Sequence, residues 1–207
     1  MVELRQRYVD ALVAGDLAAA VRLVEDSDAD VRSLYLDVLQ PALYEIGHRW
    51  EEAEISVAQE HLATATTQSL MARLAERFDG DAPRRGRRVL VACAEGELHS
   101  IGVRMVADFL DADGWDVLFV GALSPPTAVA ELAAAQGVDV VALSAALPQR
   151  VPEIVRAVAA LRALAKVPVI AVGGQAFGGD AEVAIRTGAD LYAPDAAIFA
   201  RDLAILF

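Results

Sequence analysis

The sequence is short of several things, and each shortage removes a class of protein. One cysteine in 207 residues excludes an internal disulfide framework. Hydrophobic residues make up 56% of the chain, yet no apolar run approaches the roughly 20 residues that span a bilayer. The N-terminal Met1–Arg7 leads straight into an amphipathic pattern with no secretory signal, so the expected location is cytoplasmic, with no membrane partner. Positive charge is also scarce. There are 18 basic against 30 acidic residues, a net charge of −12. Through Arg87 the counts are 10 and 16, and after it 8 and 14, so each half sits near −6. Neither half offers the broad basic patch of direct nucleic-acid binding. The cluster Arg84-Arg85-Gly86-Arg87-Arg88 reads as a solvated linker. No P-loop, no Gly-x-Gly-x-x-Gly after the first strand, no Cys-x-x-Cys and no nucleophile elbow occurs. Phosphate-cradle and hydrolase chemistry therefore lack support, and no catalytic residue is assigned.

What is present falls into two regions. Residues 1–78 are rich in Ala, Leu, Glu and Arg, with apolar positions three and four apart. Gly15-Asp16 separates the first helix from the second, with Asp16 as N-cap. Asp26-Ser27-Asp28 marks the next break. A third helix is expected over 29–49, kinked near Pro41. Ser56-Val57-Ala58-Gln59 resembles a capping box and starts a fourth helix ending near Phe78. These loop lengths suit a four-helix bundle. Residues 79–87 form the expected linker.

From residue 88 to 207, strands and helices alternate. The strand patterns are Val89–Ala94, Asp116–Val120, Val138–Ser144, Val167–Val172 and Asp190–Tyr192. Five short apolar strands with helical crossovers predict an α/β fold, a flavodoxin-like (Rossmann-like) doubly wound parallel sheet of order 2-1-3-4-5. Its switch point lies between the first and third strands, where ligands bind.

The loops at that switch point carry the most specific residues of the chain. Glu97-Leu98-His99-Ser100-Ile101-Gly102 follows the first strand and holds one of only three histidines. A carboxylate two residues before a histidine can bind one ring nitrogen and fix the tautomer of a metal ligand. Gly102 allows close approach of a ligand or backbone. Ser144 ends the third strand, Gly173-Gly174 follows the fourth, and Tyr192 lies in the fifth. Singly, each has an ordinary explanation: a strand cap, a turn, a surface histidine. Their order and spacing are what make them specific. Cys93, inside the first strand, reads as a buried and inert thiol.

In these residues the chain resembles the cobalamin-binding domain family, whose base-off, histidine-on members carry Asp-x-His-x-x-Gly, a Ser motif after the third strand and Gly-Gly after the fourth. The resemblance implies that His99 is the lower axial ligand of cobalt and that Glu97, in place of the usual aspartate, hydrogen-bonds it. It also implies that Ser144, Gly173 and Gly174 line the slot for the displaced nucleotide tail. Pro148 departs from the pattern, because many members have a hydroxyl residue there.

The helical region adds Trp50-x9-Glu60-His61. This resembles the four-helix cap of the light-sensing regulators related to CarH, in which the tryptophan and the Glu-His pair lie near the upper axial group. That likeness implies bound adenosylcobalamin, with methylcobalamin as the alternative. It implies a light sensor acting through self-association or a protein signalling partner. Two features depart from it: a DNA-binding domain is not found, and Glu51 stands where the best-known sensors have a histidine. His48 and His61 are then the residues to consider as a substitute upper ligand. Two other readings stay open at this point: a corrinoid carrier for methyl transfer, and a cleft reassigned to another tetrapyrrole.

Overall fold

Hydrophobic periodicity changes from helical to alternating along the chain, and the computed structural model follows that change. It describes residues 1–78 and 82–207. The chain forms two compact units, Met1–Phe78 and Asp79–Phe207. Part of the expected linker, Asp79-Gly80-Asp81, lies outside the described residues.

The first unit is helical throughout. It contains α1 (Val2–Val13), α2 (Leu17–Glu25), a run of α3 (Val31–Ser33), a π-helical stretch (Leu34–Leu39) and α4 (Gln40–Glu51), and then α5 (Val57–Leu74), which ends in a 3-10 turn (Ala75–Arg77). Short polar side chains start these helices. Asp16 Oδ1 accepts from Ala19 N–H at 3.0 Å, and Asp30 Oδ2 from Ser33 N–H at 2.9 Å. Ser56 and Gln59 form the reciprocal capping box that opens α5.

The kink expected near Pro41 takes another form. In a regular α-helix the proline ring would meet the carbonyl of Asp37, four residues back. Instead the backbone widens just before it, and Gln40 N–H bonds to Tyr35 C=O, five residues back. The run begins at Val31 and continues to Glu51 rather than spanning 29–49. Leu12, Leu34, Leu39, Ile46 and Leu70 fill the core. Two buried tyrosines satisfy their hydroxyls there. Tyr8 Oη lies 2.8 Å from Thr67 Oγ1, and Tyr35 Oη donates to Met71 C=O at 3.0 Å.

The second unit is a five-stranded parallel sheet of β1 (Arg88–Cys93), β2 (Asp116–Gly121), β3 (Val140–Ser144), β4 (Val169–Gly173) and β5 (Leu191–Ala193), in the order β2-β1-β3-β4-β5. Its helices are α6 (Ile101–Ala112), α7 (Pro126–Gln136), α8 (Val151–Arg162), α9 (Ala181–Ile185) and α10 (Ala196–Leu206). Val89, Val91 and Cys93 of β1 point to the face covered by α6 and α10. Leu90 and Ala92 point to the face covered by α7, α8 and α9. With helices on both sides, the central strands must be apolar at every position.

The strand limits differ slightly from the sequence pattern, for local reasons. β4 starts at Val169 because Pro168 has no N–H for the ladder. β5 starts at Leu191 because the Asp190 carboxylate is used to accept from Ile170 N–H at 2.8 Å. The basic cluster is exposed over Arg84–Arg87, in keeping with a solvated linker. Its arginines also form ion pairs at the amino edge of the sheet: Arg84 with Asp111 (2.8 Å), Arg87 with Asp139 (2.9 Å) and Arg88 with Asp116 (2.6 Å). Among the described residues, no helix is long and apolar enough to cross a membrane.

Candidate functional site

The crossover from β1 enters α6 on one face, and the crossover from β3 enters α8 on the other. The two loops therefore part at the carboxyl edge of the sheet, and side chains between them meet a crevice. Glu97 sits in this crevice and holds the loops together. Its Oε1 accepts from Leu98 N–H (2.9 Å) and His99 N–H (3.1 Å), both in its own loop. Its Oε2 reaches across and accepts from Ala146 N–H (2.9 Å) and Leu147 N–H (3.3 Å) in the loop after β3. The same Oε1 contacts His99 Nδ1.

Glu97 is 1% exposed, and burial alone would push its carboxyl up. The bonds from the His99 ring, the His99 backbone and Ala146 outweigh that and bring it down to about 2. An ionised carboxylate can only accept a hydrogen bond. Nδ1 of His99 therefore carries a proton, and Nε2 is the nitrogen left to offer a lone pair to a metal when the ring is neutral. The imidazole itself is 58% exposed. Its backbone carbonyl lies 3.9 Å from Cys93 Sγ. That thiol is buried, and burial with the nearby Glu97 charge pushes it up to about 12, which makes it unreactive.

The three site glycines differ in what they answer to. A Cβ at Gly173 would stand 2.6 Å from Ala193 C=O. At Gly174, with φ +102°, it would stand 2.2 Å from Ala145 C=O and 2.9 Å from Ser144 Oγ. These two are required by the chain itself, to bring the ends of β3, β4 and β5 together. Gly102 is different. A Cβ there, in the first turn of α6, would meet nothing within 4 Å. The protein's own packing does not demand a glycine at that position, and the space lies open to a ligand. Tyr192 packs edge-on against Phe177 with centroids 6.0 Å apart, just beyond the Gly173-Gly174 turn. Burial, Asp180 and Asp195 raise its hydroxyl.

Sequence reasoning did not single out the apolar rim of this edge. Leu98, Leu123 and Leu147 follow β1, β2 and β3 and are 67%, 63% and 40% exposed. Leu123 holds a left-handed φ of +63°, rare for a branched side chain. Nor did residue type reveal the backbone donors of Ala146 and Leu147, whose role depends only on where the loop runs.

The helical unit holds the other predicted residues. Trp50 ends α4 and is 45% exposed. Glu60 and His61 lie in the first turn of α5, at the same end of this unit. Glu60 Oε2 meets His61 Nδ1 at 2.6 Å, and its Oε1 accepts from Thr64 Oγ1 at 2.8 Å. His48 stands apart from them. Two residues before Trp50, it is about 200° around the helix. There it lines a groove of about 360 Å³ with Arg5, Val9 and Tyr44.

These features can be tested against a corrinoid. Among the described residues, no three His, Cys, Asp or Glu side chains gather as a metal site. A metal bound through His99 must bring its other ligands with it, as a metal in a macrocycle does. The fixed tautomer, the open Gly102 and the leucine rim fit a flat, largely apolar ring carrying such a metal. A B12 binding domain model matches residues 87–199, and a second B12 binding domain model matches residues 4–75. The chain belongs to the B12-binding family. It is a cobalamin-binding protein. The HTH-type transcriptional repressor CarA of Myxococcus xanthus is 35% identical to it over 176 residues, 83% of this chain and 58% of that one. The chain thus spans 58% of the length of CarA. Monomethylamine corrinoid protein 1 of Methanosarcina mazei is 28% identical over 152 residues, 70% of each chain. Among solved structures, the Methanosarcina barkeri monomethylamine corrinoid protein superposes with a TM-score of 0.82 over 99% of both chains, at 22% identity. These names describe a repressor and corrinoid proteins rather than enzymes, in line with a non-enzymatic binding role.

Proposed function

We propose that this chain binds an alkylcobalamin base-off through His99 and acts as a light sensor. The observation that carries the histidine-on reading is the Glu97 clamp. A buried, ionised carboxylate orients the ring and leaves Nε2 as the ligating nitrogen. Ser144, Gly173 and Gly174 line the slot of the nucleotide tail, with Tyr192 at its far side. Bound adenosylcobalamin supplies a cobalt–carbon bond that light can cleave. Trp50, Glu60 and His61 read the upper axial group. A change in that group would change what Trp50 packs against, and so the association of the chain with itself or with a protein partner. The 35% identity to CarA over 83% of this chain supports the sensor reading. So does the Trp50-x9-Glu60-His61 spacing.

A corrinoid carrier is the second reading, favoured by the 28% identity to a monomethylamine corrinoid protein. Absorption spectra and size-exclusion profiles with adenosylcobalamin, in darkness and after green light, separate the two. The sensor requires a light-dependent change in both. Photolysis without a change in assembly overturns it in favour of a carrier. In either case His99→Ala shifts the spectrum of the bound cofactor away from the histidine-on form, and an unchanged spectrum removes His99 as the ligand.

A further inference from the structure

At the carboxyl edge of the sheet lies an arginine that the reading above does not use. Arg150 closes a 3-10 turn (Pro148–Arg150) after β3 and leads into α8. Its guanidinium lies against Gly96 in the loop of Glu97 and His99. A Cβ at Gly96 would stand 2.7 Å from Nη1, 3.0 Å from Cζ and 3.3 Å from Nη2. Gly96 also holds φ +71°. The glycine therefore serves two ends, the turn and a seat for the cation. The Arg150 turn also packs against the turn Gln175–Phe177, directly after Gly173-Gly174. Arg150 thus borders the histidine loop, and its turn adjoins the glycine turn.

Among the described residues, this guanidinium forms no hydrogen bond or ion pair. Arg5, Arg7 and Arg22 of the helical unit likewise have none, and what sets Arg150 apart is its place beside the histidine loop. Arginines at the opposite edge of the sheet each hold an aspartate. Near Arg150, Glu153 pairs with Arg156 instead, and the Glu97 carboxylate already accepts from four backbone N–H groups. A guanidinium with its donors unused at the ligand-binding edge of the sheet is suited to an anion that comes from outside the chain.

We propose that Arg150 receives the phosphodiester of the cobalamin nucleotide tail and makes the site selective for corrinoids that carry one. The inference rests on the histidine-on reading, in which the tail leaves cobalt and enters the protein. The phosphodiester is a permanent anion, and a guanidinium matches two of its oxygens at once. On a protein of net charge −12, that tail meets a repulsive field unless a local cation offsets it.

Cobinamide has the same corrin ring but lacks the phosphodiester and the nucleotide base, so it isolates the contact. Equilibrium binding of hydroxocobalamin and of diaquocobinamide is measured by absorption for the wild type, Arg150→Met and Arg150→Lys. Arg150→Met is expected to weaken hydroxocobalamin binding by roughly 10- to 100-fold, the scale of a lost charge-assisted hydrogen bond. Cobinamide binding stays unchanged, and Arg150→Lys falls between. Gly96→Ala, which pushes the guanidinium off its seat, reproduces the selective loss without removing the charge. Thermal unfolding of the unloaded variants checks that they fold. If Arg150→Met and Gly96→Ala bind hydroxocobalamin as the wild type does, with a histidine-on spectrum, Arg150 has no such role. An equal loss for both corrinoids also overturns the proposal. If the wild type itself gives no histidine-on spectrum, the reading of the site fails and this inference falls with it.

Discussion

His61 and His99 each place Nδ1 against a glutamate, yet the two pairs are built differently. Glu60 is adjacent in sequence and lies on a helix surface, and its His61 is 74% exposed. Among the described residues, its other acceptor bond is from Thr64, one turn away in the same helix. Glu97 is buried, and four backbone N–H groups from two loops converge on its oxygens. The first pair is local and can rearrange at little cost. The second is part of how the α/β unit closes its switch point. The proposed roles match this difference: His99 as a lasting ligand would use the second kind of support, and a Glu60-His61 pair facing an exchangeable group would use the first.

Four perturbations test this contrast, from the largest expected effect to the smallest. Gly174→Ala drives a Cβ into the Ala145 carbonyl at an unfavourable φ. A loss of roughly 4 kcal/mol or more follows, enough to unfold much of a marginally stable domain. Its urea midpoint should fall far below that of the wild type, and a near-native midpoint would show that the two strand ends can separate cheaply.

Glu97→Ala comes next. It strands four N–H donors, two in each loop, and should lower stability by about 3 kcal/mol, whereas Glu60→Ala costs less than about 1 kcal/mol. Equal losses in chemical denaturation would erase the distinction between the two pairs. The pH dependence has a definite sign. Glu97 titrates near 2 when folded and near 4.5 when unfolded. Its contribution is complete above about pH 4.5 and disappears as pH falls toward 2, because the unfolded state takes up the proton first. Stability measured across that window should slope less in Glu97→Gln than in the wild type.

Gly102→Ala should act in opposite directions on the empty and the loaded protein. A helical glycine replaced by alanine, with no contact to disturb, gains up to about 1 kcal/mol when empty. Cobalamin affinity falls by roughly tenfold or more, because the new methyl fills the ligand's space. A variant that is more stable and binds equally well would free Gly102 from the site. The smallest effect is in the helical unit. Ala53 follows α4 at φ +58°, where Ala53 N–H bonds to Trp50 C=O and Glu54 N–H to Arg49 C=O. Glycine is favoured at such a left-handed helix end. Ala53→Gly should raise the melting stability of this unit by about 0.5 kcal/mol, the left-handed penalty less the entropy of glycine.

Much of the fold was legible because short-range rules set it. The capping box of Ser56 and Gln59, the Asp16 cap, the strand runs and the order 2-1-3-4-5 follow from periodicity and turn chemistry in neighbouring residues. Pro41 was legible as a disturbance but not as a π-helical widening, because that choice depends on how Leu34, Tyr35 and Leu39 pack. The ion pairs of Arg84–Arg88 were not legible, because their partners Asp111, Asp116 and Asp139, 27 to 52 residues later in sequence, are brought beside them only by the fold.

The sequence by itself determined the residue types of the site: a carboxylate before a histidine, an open glycine, a serine and a glycine pair at the ends of strands. Tertiary structure alone decided which of these the chain's own packing requires. Gly173 and Gly174 are filled against by backbone, and Gly102 is not. It alone decided that Glu97 spends one oxygen on the loop of Ala146, and that Arg150 rests on Gly96. The physical reason is common to all of them. Charge, size and backbone freedom belong to a residue, whereas the partner that gives them meaning arrives from a distant part of the chain.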